Sequence, residues 1–257
     1  MEFLEQLNKN HIHGKNILAK LKKQDRHIEL FLDQYKEFLS KMDKDINIKI
    51  EAFKNYKMFV SKYNKYYSAQ SKFESTILEE FLYHLFKEFG DGQNIFVGNI
   101  KAYSNLYFSP KNFDEFKNNN FIKINQKDQD FAIYKKVLLN DDNSQYEIFV
   151  PVVAIECKTY LDKTMLEGSV ATAEKIKQGN PHCKFYIVTE TYEVNYSVDP
   201  STSRIDNIFV LKKGNRSARG NEYYNDVFIA LYNETKKHLN TNWADIQANI
   251  ENKGTIF

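Results

Sequence analysis

Cysteine is almost missing from this chain, with only Cys157 and Cys183 in 257 residues. Two thiols exclude a disulfide framework and a four-cysteine zinc site, and their simplest state is reduced and buried in a cytoplasmic protein. No segment approaches the ~20 apolar residues of a membrane-spanning helix, and the N-terminus lacks the apolar core of a secretory signal. A soluble, intracellular protein with no membrane partner is predicted. A phosphate-cradling glycine loop and a dinucleotide fingerprint are also lacking, which excludes ATP hydrolysis. Ser169, Ser217 and His182 form no nucleophile constellation. Arginine is scarce: four of 36 basic residues, Arg26, Arg204, Arg216 and Arg219. A formal net charge of +2 does not advertise a polyanionic partner, so any such surface must come from how the charges are distributed.

What is present suits a folded globular protein rather than a disordered one. A chain of this length with 42% hydrophobic and 15% aromatic residues can bury a substantial core. Residues 1–70 are polar, rich in lysine and nearly free of Pro and Gly, with apolar positions at helical spacing; they predict two or three helices forming an N-terminal extension. Residues 71–257 change character. They predict a helix over Lys72–Phe89, a break at Gly90-Asp91-Gly92, a mixed segment, and strands near Asp130 and over Val152–Cys157. A helix over Met165–Gln178 follows, then strands Phe185–Thr189 and Ile205–Leu211 and a final helix Asp226–His238. That order predicts an α/β core with a central mixed β-sheet flanked by helices.

The most telling stretch is Val152-Val153-Ala154-Ile155-Glu156-Cys157-Lys158. Its four apolar residues read as a strand buried on both faces, and on a strand residues i and i+2 share a face, so Glu156 and Lys158 converge. A second acid leads a short strand at Asp128-Gln129-Asp130-Phe131-Ala132-Ile133. The Asn140-Asp141-Asp142-Asn143-Ser144 cluster between the two predicts a hairpin that brings them side by side. Either Asp128 or Asp130 is available, and Asp130 is preferred because Phe131 and Ile133 continue its strand. Two carboxylates suit a magnesium ion, and a lysine beside them suits an attacking water. A third acid comes from helical geometry: at about 100° per residue, Glu74 falls within the apolar face of the Lys72–Phe89 helix, whereas Glu79 and Glu80 fall toward its polar side. His11 and His13, two residues apart in a helical region, are expected at the surface.

This D…ExK set resembles the PD-(D/E)xK nuclease superfamily, and the run Glu156 to Met165 is similar to type II restriction endonucleases related to DdeI and BbvCI. The superfamily's proline before the first acid is absent. The resemblance implies a restriction-endonuclease-like core that hydrolyses DNA with Mg²⁺. Asp130, Glu156 and the Cys157 backbone carbonyl would hold the metal; Lys158 and Glu74 would complete the catalytic set. It also implies a homodimer or heterodimer, and a cognate DNA methyltransferase in the same system. The alternatives within and outside this class are a structure-specific repair or junction-resolving nuclease of the same fold, and a DNA-binding module without catalysis.

Double-stranded DNA would be held by local basic surfaces. The acid-free window Asn207–Asn221 carries Lys212, Lys213, Arg216 and Arg219 and suits base reading or phosphate gripping after a strand; Arg204 lies just before it. Lys163 and Thr164 follow the motif strand, where the scissile backbone would pass. In a second acid-free run, Phe53–Phe73, the aromatics read as core and Lys54, Lys57, Lys62, Lys65 and Lys72 as a phosphate-facing rim.

Overall fold

In the computed structural model, which describes residues 7–23, 28–63, 73–118, 121–141, 144–217, 222–243 and 246–255, three helices come first: α1 (Ile12–Lys22), α2 (Ile28–Ser40) and α3 (Ile46–Lys62). Asp45 starts α3 by accepting the Asn47 and Ile48 N–H groups, two donors that no helical carbonyl can reach. Next comes α4 (Ser75–Phe86), where Ile77, Leu78, Phe81, Leu82, Leu85 and Phe86 are all buried.

The sheet is built from β1 (Ile95–Phe108), β2 (Ile122–Asp141), β3 (Ser144–Leu161), β4 (Lys184–Tyr192) and β5 (Asn207–Val210), in that spatial order. A short helix α5 (Phe113–Asn118) joins β1 to β2, and α6 (Lys163–Gly179) crosses from β3 to β4; α7 (Asn225–Leu239) and α8 (Ile246–Lys253) follow β5. The β1/β2 and β2/β3 pairs are antiparallel, and the β3/β4 and β4/β5 pairs are parallel. This is the expected α/β architecture with a mixed sheet. β1 and α5 lie in the stretch that showed no clear period. Asp162 caps α6 through its Oδ1, 2.8 Å from the Met165 N.

One hydrophobic cluster lies on one face of the sheet and runs without a break from Ile17 in α1 through α2, α3 and α4 to Phe131, Ile155, Cys157, Val188 and then Leu231 in α7. A smaller cluster on the opposite face joins Ala154, Phe185 and Ile187 to Leu166, Ala173 and Ile176 of α6. Placing α4 between the sheet and the N-terminal helices overturns one expectation. Glu80 is fully buried rather than polar-facing, because α1 and α2 pack on the side of α4 that would otherwise meet water.

Glu80 is provided for there. Its Oε2 accepts the His13 N–H (2.8 Å) and the Gly14 N–H (3.1 Å), and its Oε1 accepts the Tyr35 hydroxyl (2.6 Å). A carboxylate from α4 therefore caps the start of α1, where the helix dipole favours negative charge. A Cβ at Gly14 would run into the Tyr35 hydroxyl, so glycine permits this approach. His13 is correspondingly 1% exposed, not at the surface. Its Nδ1 lies 3.0 Å from the Phe73 carbonyl oxygen and its Nε2 2.7 Å from the Tyr56 hydroxyl. Since a carbonyl only accepts, the neutral ring carries its proton on Nδ1 and accepts from Tyr56. Burial is the main influence on His13 and lowers its pKa to about 4, against the opposing pull of Glu80.

Candidate active site

The site sits where β2 and β3 part. Their ladder runs from Asp141–Ser144 to Phe131–Ile155 and stops there; beyond it, β2 pairs with β1 and β3 with β4. At such a fork a backbone donor loses its ladder partner and needs another. Asp130 supplies it, accepting the Cys157 N–H on Oδ2 at 2.8 Å. The alternation of β3 then divides the motif. Ile155 and Cys157 enter the large core, while Ala154 and Glu156 face α6. Asp130 is thus joined to β3 next to Glu156, while Asp128 is exposed farther along β2, opposite Lys101.

Glu156 is 9% exposed. Its Oε2 accepts the Ser169 hydroxyl at 2.5 Å and lies 3.3 Å from the Lys158 ammonium. No hydrogen bond or ion pair among the described residues uses its Oε1. Burial acts to lower the Lys158 pKa, but the Glu156 and Asp130 charges outweigh it and raise the value above the ordinary lysine range. Lys158 is therefore an ammonium that donates hydrogen bonds, not a resting base. The Cys157 thiol is pushed well above its usual pKa, first by burial and then by the charges of Asp130 and Glu79.

Glu79, which the sequence analysis assigned to the polar side of its helix, is thus near enough for its charge to act on the Cys157 thiol. Glu79 precedes Leu82 and Phe86 by three and seven positions, so all three share a face of α4; the Phe86 ring meets the ring of Phe131, the sequence neighbour of Asp130, at 5.4 Å with a 37° tilt. Glu74 is placed differently. It stands at the start of α4 with its side chain 38% exposed, held by Lys57 (3.0 Å) and Ser61 (3.2 Å). The helix begins only at Ser75, so Glu74 does not join the inward stripe.

The basic residues divide in the same way. Arg216 lies over the Tyr160 ring, 4.3 Å from its centroid, and its N–H donates to Glu193 Oε1 at 2.6 Å. Tyr160 is two residues past Lys158 on β3, so the arginine loop stands beside the Glu156/Lys158 pair. Lys163 and Thr164 are exposed at the start of α6. Lys213 is half exposed and paired with Glu222 at 2.7 Å. Lys212 turns inward, 2.5 Å from buried Glu190 and over the Tyr223 ring. Arg204 is paired with Glu174 on α6 at 3.2 Å, and Arg219 lies outside the described residues. Lys57, expected on a phosphate-facing rim, is 1% exposed and held between Glu74 and Glu190. Lys65 and Lys72 lie outside the described residues.

The donor set fits a magnesium ion. Two carboxylates and the Cys157 carbonyl are hard oxygen ligands, and Glu156 Oε1 is uncommitted. Mg²⁺ is commonly held by one or two carboxylates, with waters and phosphate oxygens filling the remaining positions. No group of three or more metal-binding side chains occurs among the described residues. No helix among them is long and apolar enough to cross a membrane.

Known proteins share both this fold and this sequence pattern. A solved structure described as the native BbvCI A2B2 tetramer at low resolution superposes with a TM-score of 0.74 at 20% identity, covering 91% of this chain and 97% of that one. No curated protein matches the chain. The sequence profile of the Bpu10I restriction endonuclease matches residues 70–221, a span that takes in Asp130, Glu156, Lys158 and the arginine loop and exceeds half the chain. The chain belongs to the Bpu10I restriction endonuclease family.

Proposed function

We propose that this restriction endonuclease cleaves double-stranded DNA at a specific sequence by Mg²⁺-dependent hydrolysis of the phosphodiester bond, with Asp130, Glu156 and Lys158 as its centre. The observation that carries this is the fork between β2 and β3, where two carboxylates and an ammonium meet at the end of buried strands. Asp130, Glu156 through Oε1 and the Cys157 carbonyl would hold the ion. When bound, Mg²⁺ supplies Lewis-acid activation of water and stabilises charge on the leaving oxygen. Lys158 donates to the attacking water and fixes its direction toward phosphorus. Glu79, whose charge acts on the Cys157 thiol, would contribute a further negative charge to the same centre, the part first assigned to Glu74.

DNA contacts follow from the surface beside the centre. Arg216, steadied by Tyr160, would grip the backbone next to the scissile phosphate, with Lys163, Thr164 and Lys213 along the same path; Arg219, three positions on in sequence, is proposed as a further DNA contact. Arg204 and Lys212, both engaged by acids, would serve the loop's conformation. The BbvCI tetramer contains two kinds of subunit, and by analogy this chain acts in a homo- or hetero-oligomer. A cognate methyltransferase protecting the host's sites and a cytoplasmic setting belong to the same proposal.

Incubation with plasmid and phage DNA and Mg²⁺ tests it. Discrete fragments with one sequence at every end are expected. Smears, cleavage confined to branched DNA, or binding without metal-dependent nicking would each replace it with a different function.

A further inference from the structure

We infer that Ser169 of α6 is a positioning residue for the metal centre, holding the Glu156 carboxylate so that Oε1 is the oxygen presented to a divalent cation. The inference rests on the proposed role of Glu156, and it begins with an anomaly in α6. The buried stripe of this helix is Leu166, Ser169, Thr172, Ala173 and Ile176, with two hydroxyls where apolar groups would pack as well. A buried helical Ser or Thr usually returns its hydroxyl to the carbonyl four residues back. Thr172 does so, donating to the Gly168 carbonyl at 2.9 Å. Ser169 does not: 1% exposed, it donates across to Glu156 Oε2 at 2.5 Å.

That same Oε2 faces the Lys158 ammonium. Two donors from two elements thus converge on one oxygen and leave the other uncommitted. With Lys158 alone, the carboxylate would be free to rotate about its last torsion, which is broad and roughly two-fold, and exchange its oxygens. Ser169 fixes the choice from a rigid helix whose start is pinned by Asp162. This is the outer-shell support that ligating carboxylates commonly receive, and losing it typically weakens metal affinity by about 10–100-fold.

The test compares Ser169→Ala with Ser169→Thr in the full chain. In the absence of DNA, Mn²⁺ binding is followed by electron paramagnetic resonance. Cleavage is followed as a function of Mg²⁺ concentration. Ser169→Ala should weaken Mn²⁺ binding and raise the half-saturating Mg²⁺ by about tenfold, with much of the rate recovered at high Mg²⁺. Ser169→Thr, which keeps the hydroxyl, should stay near the parent. If Ser169→Ala fails to fold, Ser169→Cys, of similar shape but a weak donor, carries the same expectation. Unchanged Mn²⁺ affinity and Mg²⁺ dependence in the folded Ala or Cys variant overturn the inference. The reading beneath it fails separately, through a Glu156→Ala protein that still cuts.

Discussion

Acidification should loosen the attachment of α1 through His13, by an amount that follows from its burial. The imidazole is enclosed by Tyr35, Tyr56 and Phe73, with Glu80 and Lys57 the charges that act on it. Its pKa falls from 6.5 in the open chain to about 4 in the fold. The unfolded chain therefore binds a proton in the window between those values while the folded chain does not. Stability from this group is complete above pH 6.5 and is lost as pH falls toward 4. Between pH 7 and pH 5 the loss amounts to about 2 kcal/mol. Urea unfolding of the parent and of His13→Gln at pH 7, 6 and 5 measures it. The variant should be less stable at pH 7, having lost bonds to Tyr56 and Phe73, but the gap should narrow by about 2 kcal/mol at pH 5. Carboxylates elsewhere titrate alike in both proteins and cancel. Parallel stability curves would refute the reasoning.

Other outcomes can be checked independently. Lys158→Ala should reduce single-turnover cleavage by several orders of magnitude while DNA affinity in Ca²⁺ stays within a few-fold; near-parental cutting would remove the lysine from the mechanism. Arg216→Ala should weaken binding to all sequences alike and lower the slope of log affinity against log salt by about one unit. Tyr160→Leu should move in the same direction, and a change confined to one base position would instead make Arg216 a base reader. Lys57→Met leaves Glu190 and Glu74 without their shared buried cation and should cost about 3–5 kcal/mol in urea unfolding. Adding Glu190→Gln should restore part of that loss, and strict additivity in the double mutant would show that the pair is not coupled.

How much was legible beforehand depended on whether a segment's pattern reported its own surroundings. β3 and β4 were readable because a strand buried on both faces is apolar throughout, and the charges of Glu156 and Lys158 stand out at its end. α6 was readable as the helix over Met165–Gln178, which the structure extends to Lys163–Gly179. β1 was not, because register shifts at Gly98/Ile100 and Tyr103/Asn105 put its alternation out of phase twice. Gly98, with φ of 140°, also makes room for Asn10, a contact 88 residues away in the chain. Glu80 and His13 misled for a related reason. A helical wheel predicts one inward face, but α4 is covered on both sides. Glu74 misled because the helix was started at Lys72, three residues before its observed start at Ser75, so the helical phase was carried onto a residue that lies before the first turn.

The alternation of β3 has a practical consequence. The same strand that points Glu156 toward α6 points the Cys157 sulfur into the main core, as a thiol that holds its proton. Alkylating reagents attack thiolates, so in the native state Cys157 should be silent. It becomes reactive only when the fork between β2 and β3 opens. The rate of Cys157 labelling, read by mass spectrometry with and without metal and DNA, is thus a built-in clock for how often β3 comes loose and how firmly each ligand closes it.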